Sequence, residues 1–265
     1  VKAKNESPDS LILKSAASNS IYDWSKFEHK FTNTDVSVEA ATIKSTSVHS
    51  MKFENTNEKL TFNNHRSFHL QKGDFSIDFW IKDGSSGSVA QIINKEGIFK
   101  VTKNTNNKIE FRAAGSLLFT SDKALTSGSW HHVAISANFK PSTKTISLKL
   151  FIDGLVDKNI DVEYDALSVN KEDSNLEIGG LVGELFEVRL YVGKSLFKEK
   201  FSPTIGAQKE TNQKSYKLLR FRTSFSKSGA FFLPKTLIIS FCTSGTVDTK
   251  KRDSIILWFS VMLLQ

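Results

Sequence analysis

The stretch "TISLKLFIDG" (residues 145–154) alternates apolar and polar side chains and ends in a turn signal. Its apolar side chains recur with a period of two, which places them on one face of a β-strand. They are Ile146, Leu148, Leu150 and Ile152. The Asp-Gly pair at 153–154 favours the positive φ angles of a two-residue hairpin turn. The stretch therefore predicts a strand that buries one face and returns through a tight turn.

Two further stretches repeat this alternation. In "FSIDFWIK" (75–82) we predict that one set of side chains faces the core, namely Phe75, Ile77, Phe79 and Ile81. The set predicted to face away is Ser76, Asp78, Trp80 and Lys82. In "GELFEVRLYVG" (183–193) the inward set is Phe186, Val188, Leu190 and Val192, and the outward set is Glu187, Arg189 and Tyr191. Both stretches read as half-buried strands.

Shorter strand-like runs lie between these stretches, separated by Gly, Asn, Ser and Asp. They are "VAQIIN" (89–94), "IFKVTK" (98–103), "KIEFRAA" (108–114) and "LLFTS" (117–121). No segment has a convincing helical period, and none repeats at a fixed spacing. Many short strands with turn-marked spacing predict an all-β fold of two antiparallel sheets over residues 9–202.

The positive charge is concentrated at the C-terminal end. Residues 205–265 carry 10 Lys/Arg against 3 Asp/Glu, whereas residues 1–204 carry 26 against 25. The main body therefore has no electrostatic footprint for nucleic acid. We predict a folded domain over 1–204 and a basic, apolar tail over 205–265 that is dispensable for the fold. The tail is interpreted as a poorly ordered extension, additional edge strands or a frameshifted end.

Several classes of protein are disfavoured by what the sequence lacks. Cys242 is the only cysteine, so an internal disulfide and a multi-thiolate zinc site are excluded. The longest apolar run, 255–264, is roughly half of the ~20 residues that a spanning helix needs, so membrane insertion is not expected. A chain that begins at Val1 without a basic-apolar leader is typical of a fragment or a processed product.

No catalytic arrangement is convincing in the sequence. His131 and His132 are adjacent, so on a strand they point to opposite faces and cannot form one site. We therefore interpret Trp130 as the start of a strand. The sequence has no G-x-S-x-G motif, and "GSSGS" (84–88) lacks the lysine and the helix of a phosphate-binding loop.

A glycoside hydrolase is the one enzyme class that fits such a sandwich. Retaining enzymes need two carboxyl groups about 5 Å apart, which alternating positions of a strand can provide. Glu163 and Asp165 have that spacing, but the next position of the pattern is Ser168, so the acid/base is missing. We therefore predict no catalysis, and a solvated strand face or loop is the alternative role for both acids.

Four stretches together resemble a known family. They are "SVHSMKFENTNEKLTFNNHRSFHLQKGDFSIDFWIK" (47–82), Trp130 to Ala134, Leu150 to Gly154, and Gly183 with Glu187 to Tyr191. In this order they resemble laminin-G-like domains of the concanavalin A-like lectin/glucanase superfamily over about residues 9–202. The lead-in "SLILKSAASNSIYDWSKFEHKFTNTDVSVEA" (10–40) is similar to virion-associated and large-adhesin versions.

The resemblance implies a jelly-roll sandwich that binds glycans or protein surfaces, in some members through a rim calcium ion. Calcium prefers six to eight oxygen ligands, several of them carboxylates. The candidate metal ligands are Asn55, Asn57, Glu58 and Glu184. The family pattern is broken where Glu54-Asn55 replaces Asp-Gly, Asn57-Glu58 replaces Asn-Asp, and Phe186 replaces Asp. A polar turn without an ion is the alternative.

We accordingly predict a non-catalytic, lectin-like recognition module for adhesion or attachment, on an extracellular or virion surface. Its partner would be a glycan or a protein surface. The alternatives are a glycan-cleaving enzyme of the same fold and a structural virion or matrix component that binds no sugar. A groove with exposed aromatic side chains would favour recognition, and polar loops around Asn57, Asn104 and Asp173 are candidate donors of hydrogen bonds.

Overall fold

A computed structural model describes residues 10–16, 20–25, 27–70, 73–167 and 173–205. Within these ranges the chain forms sixteen β-strands and two short 3-10 helices, at Arg66–Phe68 and Tyr164–Leu167. The strands are β1 (Ser10–Ala16), β2 (Ser20–Asp23), β3 (Phe31–Thr34), β4 (Ser37–Ile43), β5 (Thr46–Phe53), β6 (Lys59–Phe62), β7 (Phe75–Asp83), β8 (Ala90–Lys95), β9 (Phe99–Lys103), β10 (Lys108–Ala113), β11 (Ser116–Ala124), β12 (Trp130–Lys140), β13 (Thr145–Ile152), β14 (Leu155–Glu163), β15 (Leu176–Gly179) and β16 (Gly183–Val192).

The strands form two sheets. One has nine strands, with the order β14-β13-β12-β7-β16-β1-β2, while β5 pairs with β16 and β4 pairs with β5. The other has seven strands in the order β11-β10-β9-β8-β15-β6-β3. Every pairing between described strands is antiparallel. The predicted all-β sandwich of two antiparallel sheets is therefore confirmed.

The core between the sheets contains the side chains that the alternation predicted. The inward sets of β7 and β13 are each at most 1% exposed and belong to one apolar cluster. Phe111 on β10 of the other sheet lies against Phe75, with ring centroids 6.0 Å apart. We call the face of the nine-stranded sheet that contacts this core its inner face, and the opposite face its outer face.

The outer face of the nine-stranded sheet is also largely buried, which corrects the prediction that its side chains face solvent. The buried outward side chains are Ser76, Asp78, Trp80, Glu187, Arg189 and Tyr191, while Lys82 is half-buried. Residues 194–205, which we call the covering segment, lie over the middle of this face. Phe197 and Phe201 of the segment pack on Phe151, with centroids 6.2 and 5.5 Å away.

Hydrogen bonds attach the covering segment to the strands beneath it. The Ser76 hydroxyl donates to the Lys194 carbonyl at 3.0 Å and accepts from the Leu196 amide at 2.8 Å. The Lys149 ammonium donates to the Lys198 carbonyl at 2.7 Å. Polar side chains of the outer face therefore pair with the backbone of the covering segment.

The assignment of Phe186 to the inner face was wrong. The pairing of β16 with β7 shifts register between Phe186 and Arg189, and Glu187 adopts a φ of 49° there. Such a β-bulge adds one residue and reverses the side-chain alternation on either side of it. Leu185 consequently joins the inner core, while Phe186 packs on the outer face with Trp80. Val188 and Leu190 face inward as predicted.

The predicted Asp-Gly hairpin turn joins β13 to β14. Asp153 and Gly154 have φ angles of 55° and 81°, both in the left-handed region. Gly154 also lies under the covering segment, because the Phe201 amide donates to its carbonyl at 2.9 Å. A Cβ atom at this position would lie 1.9 Å from the Phe201 carbonyl oxygen. Glycine is thus required here by backbone conformation and by close approach.

The predicted tail lies outside the described residues, apart from Ile205. The division into 1–204 and 205–265 therefore stays a prediction, as does dispensability of the tail. Within the described ranges, no helix combines the length and the apolar character that crossing a bilayer requires.

Candidate ligand-binding groove

The two adjacent histidines lie on opposite faces of β12, as predicted, and Trp130 is the first residue of that strand. The His131 ring bonds to the Asp153 carboxylate through Nδ1 at 2.9 Å and accepts from the Thr126 amide through Nε2 at 3.1 Å. The His132 Nε2 lies 3.1 Å from Asp78 on the outer face. Each histidine therefore has its own structural partner, and the two do not form a common site.

Glu163 and Asp165 do not share a strand, so the proposed spacing of two carboxylates on one strand was wrong. Glu163 is the last residue of β14, whereas Asp165 lies in the 3-10 helix that follows it. Both residues are exposed, and Ser168 lies outside the described residues. The exposure of both acids agrees with the solvated role given above as the alternative.

Three of the four predicted calcium ligands lie together in the turn between β5 and β6. The Glu58 carboxylate accepts from the Glu54 amide at 2.7 Å and from the Asn55 side-chain amide at 2.6 Å. The Asn55 side-chain oxygen accepts from the Asn57 amide at 3.0 Å. The side-chain oxygens of Glu58 and Asn55 therefore already accept hydrogen bonds from donors of the turn itself.

Glu184, the fourth predicted ligand, has different partners. Its carboxylate accepts from the Ser50 hydroxyl at 2.6 Å and from the Lys82 ammonium at 2.9 Å. In the described part of the chain, no three His, Cys, Asp or Glu side chains are grouped so that they could hold a metal ion. Glu184 thus bonds outside the turn that holds the other three residues, and calcium binding stays a prediction.

Polar side chains of the loops also bond within their own turns. The Asn104 side-chain oxygen accepts from the amides of Asn106 and Lys108 at 3.0 and 3.1 Å. None of Asn57, Asn104 and Asp173 lines either of the two cavities described below. The loops that we predicted to supply hydrogen bonds to a ligand are thus not the loops beside these cavities.

A groove of about 550 Å³ lies on the nine-stranded sheet, between the β4–β5 hairpin and the ends of β7, β12 and β16. We call it the hairpin groove. The polar, charged and aromatic residues that line it are Thr42, Ser47, His49, Lys82, Trp130 and Glu184. Ala40, Ala41, Val48 and Gly128 complete the lining.

The hairpin is fixed to the sheet by its apolar side chains. Ile43 and Val48 are buried on the outer face against Trp80 and Phe186. The two-residue turn uses Lys44 and Ser45 with φ angles of 45° and 66°, a conformation that normally favours Asn-Gly. Because strand side chains alternate, the neighbouring residues Thr42 and Ser47 remain exposed and line the groove.

The groove combines an aromatic side chain with a charged pair. Trp130 is half-buried against the outer-face cluster, and it pairs with Lys82 in the register of β12 and β7. Lys82 in turn bonds to Glu184, which is 7% exposed. An aromatic face, hydroxyls and a fixed pair of charges are suited to hold a polar ligand that also has apolar surface.

Sequence reasoning did not find this groove. Its residues come from four separate segments, and the hairpin turn lacks the glycine that marks such turns in a sequence. The sequence predicts Glu184 as a calcium ligand and Trp130 only as the start of a strand. The alternating run through Ser47 and His49 was the one available signal for a strand in this region.

Solved structures of similar fold include the binding domain of Paraclostridial Mosquitocidal Protein 1, at 17% identity and a TM-score of 0.54 over 70% of this chain and 49% of that chain. A structure titled "Cell entry of botulinum neurotoxin type C is dependent upon interaction with two ganglioside molecules" matches at 15% identity and a TM-score of 0.52, over 70% and 48%. The binding domain of Botulinum Neurotoxin DC in complex with SialylT matches at 16% and 0.50, over 70% and 48%. The chain thus spans about half the length of these structures.

No curated protein sequence matches the chain. A laminin-G family model, described as the concanavalin A-like lectin/glucanases superfamily, matches residues 54–193. The match runs from the turn after β5 to the end of β16, so it includes strands β6 to β16 of the two sheets. Since it includes more than half of the 265 residues, the chain belongs to the concanavalin A-like lectin/glucanase superfamily.

Proposed function

We propose that the domain is a non-catalytic recognition module that binds glycans through the hairpin groove. The observation that carries this proposal is the combination of Trp130 with the Lys82–Glu184 pair in a groove of about 550 Å³. A volume of this size is typical of small-ligand sites. The aromatic ring offers a surface for the apolar face of a sugar, and the charged pair offers hydrogen bonds to its hydroxyls.

The ligand class has further support from proteins of similar fold. One similar structure is titled for the interaction of its toxin with gangliosides, and another for a complex with SialylT. An oligosaccharide is therefore the ligand that we propose for this chain as well. Glycans of this kind occur on cell surfaces, so we propose that the module acts outside a cell or on a virion surface.

Binding without catalysis is the reaction class that we favour. Glycoside hydrolysis commonly requires two carboxyl groups that flank the scissile bond. Among the described residues that line the groove, Glu184 is the only carboxylate, and it already accepts from Ser50 and Lys82. One paired carboxylate cannot supply both the acid and the nucleophile of such a mechanism.

The test is a glycan array probed with the full chain, in calcium and in EDTA. Ser47→Arg places a long side chain into the groove from an exposed position and removes no core contact. We expect it to weaken retention on the best glycan at least tenfold, without a change in the thermal midpoint. Leu155→Arg adds the same side chain to an exposed position of β14, outside the groove, and is expected to bind as the wild type does.

Three results would contradict the proposal. Retention on no glycan would favour a structural role without sugar binding. Release of reducing ends from a retained polymer, lost in Glu184→Gln, would instead identify a glycan-cleaving enzyme. Protein-surface recognition would appear as glycan-independent binding that Ser47→Arg abolishes.

A further inference from the structure

A second cavity, of about 470 Å³, lies at the β2 edge of the same nine-stranded sheet. We call it the Tyr22 cavity. Its lining includes Tyr22, Trp24, Glu28, His29, Lys30 and Phe31, and it shares no lining residue with the hairpin groove. Three aromatic side chains and several polar ones are therefore gathered here, away from the site proposed above.

The aromatic pair of this cavity is accessible and fixed in orientation. Tyr22 is 39% exposed, a large fraction for an aromatic side chain. Its ring lies edge-on to that of Trp24, with centroids 6.1 Å apart. The Lys14 ammonium lies 3.9 Å from the centroid of the Trp24 ring, a cation–π contact that holds the indole in place. Tyr22 and Trp24 thus form one aromatic surface of fixed orientation, which we call the aromatic corner.

The backbone behind this corner is held by the buried carboxylate of Asp23. It accepts hydrogen bonds from the Ile12 amide at 3.1 Å and from the Ser25 amide at 2.8 Å. It also accepts from the Ser25 hydroxyl at 2.7 Å and from the His29 amide at 2.9 Å, and it bonds to the His29 ring at 2.6 Å. One carboxylate therefore joins β1, β2 and the residues that follow β2.

This arrangement lowers the entropic cost of binding a ligand. The segment that carries the aromatic corner is already ordered by Asp23, so little conformational freedom is lost when a ligand arrives. The His29 ring is fixed as well, since its Nε2 lies 3.0 Å from the Ser67 hydroxyl. A cavity with a preorganised wall and exposed aromatic surface has the physical properties of a binding site.

We propose that the Tyr22 cavity is a second sugar-binding site, which makes the domain bivalent. The inference rests on the proposed function for its ligand class. The exposed charges of the lining, Glu28 and Lys30, have opposite sign, and Lys14 beside Trp24 has the Glu187 carboxylate at 3.9 Å, so the cavity favours an uncharged pyranose over an anionic sugar. The sugar packs the C–H groups of its apolar face on the aromatic corner, because tyrosine and tryptophan offer a large apolar surface beside a polar group.

Bivalency has a measurable consequence. Two weak sites on one rigid sheet bind a branched or polymeric glycan with an avidity that exceeds either single affinity. The loss of one site should therefore reduce retention on a polymer more strongly than it reduces the affinity for a short oligosaccharide.

The test measures stoichiometry by titration calorimetry, with a short neutral oligosaccharide chosen from the array. We expect two ligands per wild-type chain, one in Tyr22→Ala, one in Ser47→Arg and none in the double variant. Tyr22→Phe keeps the aromatic ring and is the matched control, which should retain two ligands. Retention of Tyr22→Ala on the corresponding polymer should fall at least tenfold.

The outcomes separate this inference from the proposed function. One ligand per wild-type chain, lost in Ser47→Arg and unchanged in Tyr22→Ala, would overturn the second site and leave the proposed function intact. One ligand lost only in Tyr22→Ala would support the cavity and refute the groove. Binding of a single-stranded oligonucleotide in place of a sugar at the aromatic corner, or no binding of any glycan, would overturn the inference.

Discussion

Arg189 and Asp78 form an ion pair that is buried on the outer face of the nine-stranded sheet. The Nη2 and Nε atoms of Arg189 lie 2.8 and 3.0 Å from the same carboxylate oxygen of Asp78. The His132 ring approaches that oxygen at 3.1 Å. Burial opposes the charge of Arg189, but the negative charges of Asp78, Tyr191 and Glu187, of which Asp78 contributes most, together outweigh burial and raise the pKa of the guanidinium above its ordinary value. The outer face thus contains a charged centre as well as an apolar one.

We expect Arg189→Met to lower the free energy of unfolding by about 3–5 kcal/mol, because it leaves the Asp78 carboxylate buried without its main partner. Replacement of both partners, in Asp78→Leu/Arg189→Met, should lose less than the single variant, because the Asp78 charge is removed as well and the buried Glu187 keeps Lys14 at 3.9 Å. Urea unfolding followed by tryptophan fluorescence measures both losses. Equal losses in the single and double variants would mean that the pair contributes through packing and not through charge.

The burial of this ion pair could not be predicted from the sequence, whereas the inner face of the same sheet could. Alternation correctly identified the inner side chains of β7 and β13, because contact with the second sheet requires a strict period of two. The same alternation assigned Asp78 and Arg189 to solvent, since nothing in their own strands signals the covering segment. Residues 194–205 form no strand in the described structure, so their position depends on long-range contacts that periodicity does not record.

The candidate site was less predictable than the fold. Thr42, Ser47, Lys82 and Trp130 become neighbours only when three strand ends and one hairpin meet. The bulge at Glu187 has no glycine to mark it, so the reversal at Phe186 could not be inferred from spacing. The resemblance to the family identified the fold correctly, but three of the four calcium-ligand positions that it implied lie in a turn whose Glu58 and Asn55 oxygens accept hydrogen bonds from the turn itself.

Gly154 tests whether the covering segment stabilises the fold. We expect Gly154→Ala to destabilise the protein at least twice as much as Gly87→Ala does. Both glycines have positive φ angles, 81° and 78°, so both variants carry the backbone cost of about 1–2 kcal/mol. A Cβ at residue 87 meets nothing within 4 Å, whereas one at 154 would collide with the Phe201 carbonyl. Thermal unfolding compares the two variants, and equal losses would mean that residues 194–205 move aside without cost.

Calcium binding can be tested directly on the turn between β5 and β6. The sequence-based prediction requires that calcium raise the thermal midpoint and that Glu58→Gln abolish the rise. We expect the opposite result, no change between EDTA and millimolar calcium, because the Glu58 oxygens already accept from Glu54 and Asn55. Glu184→Gln serves as the control, since Glu184 bonds to Ser50 and Lys82 instead. A calcium-dependent rise that is lost in Glu58→Gln but kept in Glu184→Gln would place the ion in the turn.

Acid is expected to destabilise the fold first through His65. Burial lowers the pKa of the His65 ring below its ordinary value of 6.5, and the neighbouring His29 lowers it further. At a pH between the lowered pKa of His65 in the folded chain and its ordinary pKa in the unfolded chain, the unfolded chain binds more protons. The stability that comes from a neutral His65 is therefore complete above pH 6.5 and declines as the pH falls. The midpoint of urea unfolding should therefore decrease from pH 7.5 to pH 5. His65→Asn keeps an acceptor for the Ser67 amide and should show a smaller decrease.

Below pH 5 the carboxyl of Asp153 should dominate the loss of stability. Burial opposes ionisation of this carboxyl, but hydrogen bonds from His131 and Lys123 outweigh burial and hold its pKa far below the ordinary 3.8. A depressed carboxyl pKa stabilises the fold above pH 3.8, and that stabilisation is lost as the pH falls toward the folded value. Asp153→Asn keeps the acceptor for the His132 amide and tolerates the positive φ of the turn. We therefore expect its unfolding midpoint to be lower than that of the wild type at pH 6 but to depend less on pH between 5 and 3. Parallel pH curves for the two proteins would mean that Asp153 titrates alike in the folded and unfolded states.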